Sequence, residues 1–215
     1  MKFGVLGTGM VGEAIADRLA SLGHEVRMGA RDPGNPKARA WAAQTGGRAS
    51  AGAFADAAAF GEVVFHCARG SAAIEVLRAA GRENLRGKVL ADVSNPLEFP
   101  PGAPPKLFTA AAGDSLAERI QAELPEVRVV KALNTVTASL MGHPEKLSGE
   151  TDVFVAGNDG PAKAKVTEIL REFGWRSVLD LGDLTAARGM EAYLLLWLRF
   201  SAVLKTAQLN IKVVR

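Results

Sequence analysis

Six residues, Gly7-Thr8-Gly9-Met10-Val11-Gly12, constrain this chain more than any others. They read G-x-G-x-x-G and follow directly on a short apolar run, Lys2 to Leu6, that predicts a buried strand. Val11, Ile15, Leu19 and Leu22 come next at helical spacing and fall on one helix face. Gly23 stands where a helix is closed by a glycine, and Glu25 to Gly29 predicts a second strand. A strand, a glycine turn, a helix and a strand form a βαβ unit. In that setting Gly7 permits the tight turn, Gly9 lets a pyrophosphate approach bare backbone, and Gly12 lets the helix pack closely on the sheet. The N–H groups at the helix start then face the phosphates. The stretch is a dinucleotide site.

The end of the second strand selects the dinucleotide. An NAD site places an acid there for the ribose 2′-hydroxyl. Here the strand ends Gly29-Ala30-Arg31, with a guanidinium whose planar fork suits a 2′-phosphate, and Lys37 and Arg39 add positive charge nearby. Asp32, one residue beyond Arg31, is the competing acid. The expected cofactor is NADP.

Composition narrows the class. The 215 residues are 48% hydrophobic and 23% charged, ample for one substantial domain with a small appendage. A net charge of +3 without lysine- or arginine-rich runs gives no reason to expect nucleic acid. Tyr193 to Leu198, the densest apolar run, is too short to span a bilayer. Cys67 is the only cysteine, and the chain enters a strand at once with no room for a signal peptide, so a cytoplasmic location is expected.

Further along, helices are predicted over 36–45, 71–80, 115–124, 135–141, 160–173 and 184–205, and within the alanine-rich stretch 49–60. Strands are predicted over 62–68, 88–93, 127–133, 152–156 and 177–181. The alternation predicts an α/β fold, a doubly wound, mostly parallel sheet. Residues 1–150 are assigned to the dinucleotide-binding domain and 151–215 to a small C-terminal α/β extension. Five of the ten prolines lie between 94 and 107, which predicts a stiff extended loop. The apolar residues of 184–205 nearly circle the helix axis, so that helix is expected to be buried by this chain, by a second subunit, or over the site.

Ligands of open α/β sheets bind outside the carboxyl ends of the strands. Those ends carry Ala68-Arg69-Gly70, Ser94-Asn95-Pro96 and Asn134-Thr135, which are the candidates for the nicotinamide and acceptor pocket. Ser94 and Asn95 have the hydrogen-bonding groups for a carboxamide or ribose. His66 and Cys67 fall inside an apolar run and read as core. No metal-ligand spacing and no G-x-S-x-G occur, and no catalytic acid–base pair is expected.

The stretch GTGMVGEAIADRLASLGHEVRMGARDP, with VSNPL, VVKALNTV, VFVAGND and LRFSAVLKTAQLNIKVV in order, resembles the NADP oxidoreductase family dependent on coenzyme F420. The resemblance implies a Rossmann domain with a short C-terminal extension, commonly a homodimer. It implies hydride transfer between NADP(H) and a small planar redox acceptor stacked on the nicotinamide, coenzyme F420 or a flavin such as FMN. By position it implies that Thr8, Met10 and Val11 meet the pyrophosphate. Ala30 and Arg31 match the Ser-Arg pair that holds the 2′-phosphate, and Asn134 stands where archaeal deazaflavin enzymes carry a histidine. Two other readings share the N-terminal motif: a non-catalytic NADP-binding sensor or partner module, and a small-substrate NADP dehydrogenase of the pyrroline-carboxylate or β-hydroxyacid type. Strands near 153 and 178 argue against the all-helical domain that such dehydrogenases append.

Overall fold

The computed structural model describes residues 1–214. Ten strands form among them: β1 (Lys2–Leu6), β2 (Glu25–Ala30), β3 (Ala49–Ala53), β4 (Val63–His66), β5 (Val89–Asp92), β6 (Leu97–Glu98), β7 (Lys106–Leu107), β8 (Arg128–Ala132), β9 (Asp152–Gly157) and β10 (Ser177–Asp180). The α-helices are α1 (Met10–Ser21), α2 (Pro36–Thr45), α3 (Phe54–Phe60), α4 (Ala73–Ala80), α5 (Arg82–Leu85), α6 (Leu116–Glu123), α7 (Ala138–Met141), α8 (Gly160–Glu172) and α9 (Ala187–Leu204). Eight strands build one sheet in the order β10-β9-β8-β5-β4-β1-β2-β3. Every neighbouring pair is parallel except β8 and β9. The sheet is mostly parallel and doubly wound, as the alternation of elements required.

Strand residues alternate between two apolar layers. Phe3, Val5, Phe65, Ala91 and Val130 face one side with Ile15, Leu19, Trp41, Leu140, Val166 and Ile169 of α1, α2, α7 and α8. Leu6, Val64, Leu90 and Val129 face the other with residues of α3, α4, α5 and α6 and the start of α9. Beyond residue 150, β9 and β10 extend this same sheet, and Val153, Val155 and Phe173 share the first layer with Phe3.

Two local expectations are corrected, and one strand is added to them. The helix expected within the alanine-rich stretch 49–60 is α3, over Phe54–Phe60, while the preceding Ala49–Ala53 is strand β3, paired in parallel with β2 from Val26↔Ala49 to Ala30↔Ala53. Pairing with the open edge of β2 overrides alanine's helix preference, and Asp56 Oδ2 accepts the Ala53 N–H where the helix begins. Leu22 is exposed, because α1 already ends at Ser21 and Gly23, at φ +85°, turns the chain toward β2. The proline-rich segment is a hairpin, with Leu97 opposite Leu107 and Glu98 opposite Lys106. Pro100, Pro101, Pro104 and Pro105 occupy its connection, where no ladder N–H is needed.

Candidate functional site

The glycine loop runs from β1 into α1 with geometry only glycine supplies. Gly7 sits at φ +132° and donates its N–H to Gly29 O at 3.0 Å, closing the turn against β2. A Cβ on Gly12 would lie 2.1 Å from Gly7 O, so the helix start and the loop touch backbone to backbone. Gly9 is the opposite case: nothing lies within 4 Å of where its Cβ would stand. It is also the N-cap of α1 and has no side-chain cap. The first N–H groups of a helix lack intrahelical partners, and here they open onto empty space beside an exposed glycine. That cradle fits a diphosphate. Thr8 and Val11 are half-buried and Met10 is exposed around it.

Lys37, in the first turn of α2, lines a cavity of about 280 Å³ together with Thr8, Glu13, Met28, Ala40, Trp41 and Gln44. The fold therefore brings Lys37 to the glycine loop. Ala30 is buried at the end of β2, and Arg31 beyond it is exposed, its Nη2 3.2 Å from Glu75 Oε1 of α4. Asp32 turns back on its own loop, where Oδ1 accepts the Gly34 N–H at 2.8 Å. Arg39 is exposed on α2.

At the other strand ends, Ala68 is half-buried and Arg69 exposed after β4. Gly70 packs so closely on the turn after β5 that a Cβ there would lie 2.0 Å from Asn95 O. Asn95 and Asn134 are joined twice: Asn95 Nδ2 donates to Asn134 O at 2.9 Å, and Asn134 Nδ2 donates to Asn95 Oδ1 at 3.0 Å. Asn134 Nδ2 also donates to Met190 O of α9 at 2.9 Å. Its Oδ1 is buried and lacks a hydrogen-bond partner among the described residues. An orphaned amide oxygen at this place fits the carboxamide N–H groups of a nicotinamide. Leu133, at φ +55°, turns the chain from β8 into this position; a buried leucine in the left-handed region costs about 1–2 kcal/mol. Thr135 and Pro96 are buried beside it, and Pro96 O accepts the Phe108 N–H of the hairpin.

Ser94 differs from expectation. Its hydroxyl proton is already committed: Oγ donates to Asp92 Oδ1 at 2.7 Å, and its N–H donates to the same atom at 3.1 Å. His66 differs as well. It is buried as a core residue would be, but its Nδ1 lies 2.9 Å from Asp92 Oδ1. Asp92 Oδ2 accepts from Lys131 Nζ at 2.8 Å, and Lys131 also reaches Glu191 Oε1 at 2.8 Å. Glu191 receives the N–H groups of Leu116 and Ala117 at the start of α6. Burial pushes the Asp92 carboxyl up, yet Lys131 and His66 outweigh it and hold its pKa well below the usual carboxylate range. Burial alone would lower Lys131, but Asp92 and Glu191 hold it above the ordinary lysine value. Sequence reasoning missed Asp92, Lys131 and Glu191. The signal was present for two of them, as lone charges inside the apolar runs KVLADV and VVKAL, since a buried charge must find a partner. Cys67 packs behind the glycine loop in the core, where burial pushes its thiol pKa up.

Among the described residues, no group of three or more His, Cys, Asp or Glu side chains is placed to hold a metal ion, and no helix is long and apolar enough to cross a membrane.

A family model described as "NADP oxidoreductase coenzyme F420-dependent" matches residues 2–96. The chain is 31% identical over 202 residues to metalloreductase STEAP3 of Rattus norvegicus, covering 89% of this chain and 36% of that one. It is 30% identical over 113 residues to the F420-dependent NADP reductase of Methanocaldococcus jannaschii, covering 52% and 49%. It thus spans about half or less of these two relatives. A crystal structure of a candidate F420-dependent NADP reductase from Arthrobacter sp. FB24 superposes with a TM-score of 0.94 at 46% identity, covering 100% of both chains.

Proposed function

The chain belongs to the coenzyme F420-dependent NADP oxidoreductase family, and from that premise we propose that it passes a hydride between NADP(H) and a planar acceptor, coenzyme F420 or a flavin. The observation that carries the proposal is the open backbone cradle at Gly9, aligned with the start of α1. Bound NADPH supplies the hydride; the protein's own groups bind, orient and exclude water. The N–H groups of the first turn of α1 take the diphosphate, with Thr8, Met10 and Val11 around it. Lys37 and Arg31 take the 2′-phosphate, Arg31 by releasing Glu75, and Ala30 leaves the guanidinium as its main partner there.

Over β4, β5 and β8, the turns Ala68-Arg69 and Ser94-Asn95-Pro96 form the floor of the nicotinamide half. Asn134 Oδ1 would accept from the carboxamide, and Thr135 would close the pocket beside it. Hydride transfer itself requires no proton transfer by a side chain. Exposed Leu196, Phe200, Val203 and Leu204 on α9 support pairing with a second copy. The lone, unpaired Cys67 supports a cytoplasmic setting.

The test is anaerobic NADPH oxidation with F420 and FMN run in parallel. Turnover with either supports hydride transfer and names the acceptor. Tight NADPH binding with reduction of neither overturns the catalytic reading and leaves an NADP-binding sensor.

A further inference from the structure

His66 of β4, Asp92 of β5, Lys131 of β8 and Glu191 of α9 are each 0 or 1% exposed, yet all belong to one polar chain. Lys131 stands at its centre as a tripod. Its ammonium has three N–H donors and three acceptors: Asp92 Oδ2 at 2.8 Å, Glu191 Oε1 at 2.8 Å and Ser94 O at 2.6 Å. No donor is left over.

Stability alone does not account for such a group. Buried ion pairs can commonly be replaced by apolar side chains of similar volume without loss, because desolvation offsets their attraction. What the charges do fix is direction. Ser94 is held through its N–H and Oγ by Asp92 and through its carbonyl by Lys131, so the turn that carries Asn95 and Pro96 hangs on these two residues. Glu191 joins Lys131 to the start of α6 and so seats the first turns of α9, whose Met190 O receives Asn134. The 94–96 turn and the start of α9 lie at the carboxyl ends of β5 and β8, over which the second half of a dinucleotide extends. None of the three acceptors belongs to the glycine loop.

We propose that Lys131 is a positioning residue for the nicotinamide half of the site: it holds the Ser94-Asn95-Pro96 turn and the α9 wall in register with each other. The proposal rests on the reading of the crevice as an NADP site. Asp92 and Glu191 keep the ammonium charged against the effect of burial, so the tripod persists at neutral pH.

The test removes every charge of the tripod together, in Asp92→Asn/Lys131→Met/Glu191→Gln, so that no buried ion is left unpaired. Thermal unfolding first establishes that the variant folds. Dissociation constants are then measured for NADPH and for 2′-phospho-ADP-ribose, which lacks the nicotinamide. The NADPH constant should rise about tenfold or more, the change expected when about one hydrogen bond to the nicotinamide half is lost. The fluorescence of bound dihydronicotinamide should fall toward that of the free cofactor. The constant for 2′-phospho-ADP-ribose should stay within about twofold.

Equal losses for both ligands, or no loss for either, in a folded variant overturn the proposal. Should the triple variant not fold, Glu191→Gln keeps the shape and is read by the same pair of ligands, with the same outcomes deciding. If the unaltered protein binds neither ligand, the NADP reading itself falls and the proposal with it. That outcome is seen before any variant is made.

Discussion

Alanine at Gly12 and alanine at Gly9 should fail in different ways, although both lie in one six-residue loop. At Gly12 the new Cβ would stand 2.1 Å from Gly7 O, 2.9 Å from Gly7 C and 3.6 Å from Cys67 Cβ. The first contact is about 1 Å short of ordinary van der Waals distance, and its partner is backbone, so α1 must back away from the sheet. Overpacking of this kind costs about 1–3 kcal/mol. Replacing a helical glycine by alanine returns up to about 1 kcal/mol. The net loss is about 1–2 kcal/mol, or a fall in Tm of about 2–8 °C for a chain of this size. At Gly9 no atom lies within 4 Å, and φ −85°, ψ 179° is open to alanine, so the only stability cost is the weaker N-cap, about 1 kcal/mol or less. The methyl group would instead occupy the cradle, and NADPH affinity should fall at least about tenfold, equivalent to about 1.4 kcal/mol. Thermal unfolding and calorimetric titration of both variants separate the effects. A Gly9→Ala protein that binds NADPH within twofold of the unaltered chain would show that no diphosphate lies there. A Gly12→Ala protein that melts unchanged would refute the packing argument.

Two further outcomes are expected. Arg31→Asp should weaken NADPH binding about 10–100-fold, the range of roughly 1.5–3 kcal/mol for a charge-assisted hydrogen bond, and leave NADH within about threefold; an unchanged ratio of the two dissociation constants counts against Arg31. Glu118 is held at about 2, chiefly by the two-pronged contact with Arg188 and against the effect of burial, with Ser115 also bonded to it. A lowered folded-state pKa gives stability that is present above the ordinary value of 4.5 and lost as pH falls from there toward 2. Denaturant unfolding of Glu118→Gln and the unaltered chain should therefore differ by about 1–2 kcal/mol at pH 6 and converge near pH 2. A difference that stays constant with pH would disprove the linkage.

What could be read from the sequence was what repeats locally. The glycine loop, the apolar runs and the periodic faces of α1 and α8 each carry their signal within a few residues, and β1 and α2 appear with the bounds their sequence predicts. Ala49–Ala53 was illegible because its strand character comes from β2, more than twenty residues away, and its own alanines favour a helix. The hairpin around residues 97–107 was hidden by prolines that turned out to lie in its connection. The site divided the same way. Gly7 and Gly12 are legible because backbone geometry dictates glycine there, Gly9 because a bare backbone leaves the cradle open, and Lys37 is brought to that loop by the fold. The role of Ser94 could not be read, because Asp92 and Lys131 capture its polar groups, and Lys131 lies 37 positions away.

The antiparallel entry of β9 has a consequence for how such a chain can diversify. Val155 of β9 lies opposite Ala132, so beside the end of β8 the neighbouring strand presents its beginning, and no further strand-to-helix loop arrives at that margin. The margin is covered instead by the start of α9, attached through Glu191 and Met190 O. The two flanks of the crevice are therefore separable modules: one written into the first βαβ unit, the other completed by a late helix joined by a few polar tethers to the strand-end turns. Sequence drift in that helix can remodel the second flank while the cradle at Gly9, built from a different stretch of chain, stays as it is.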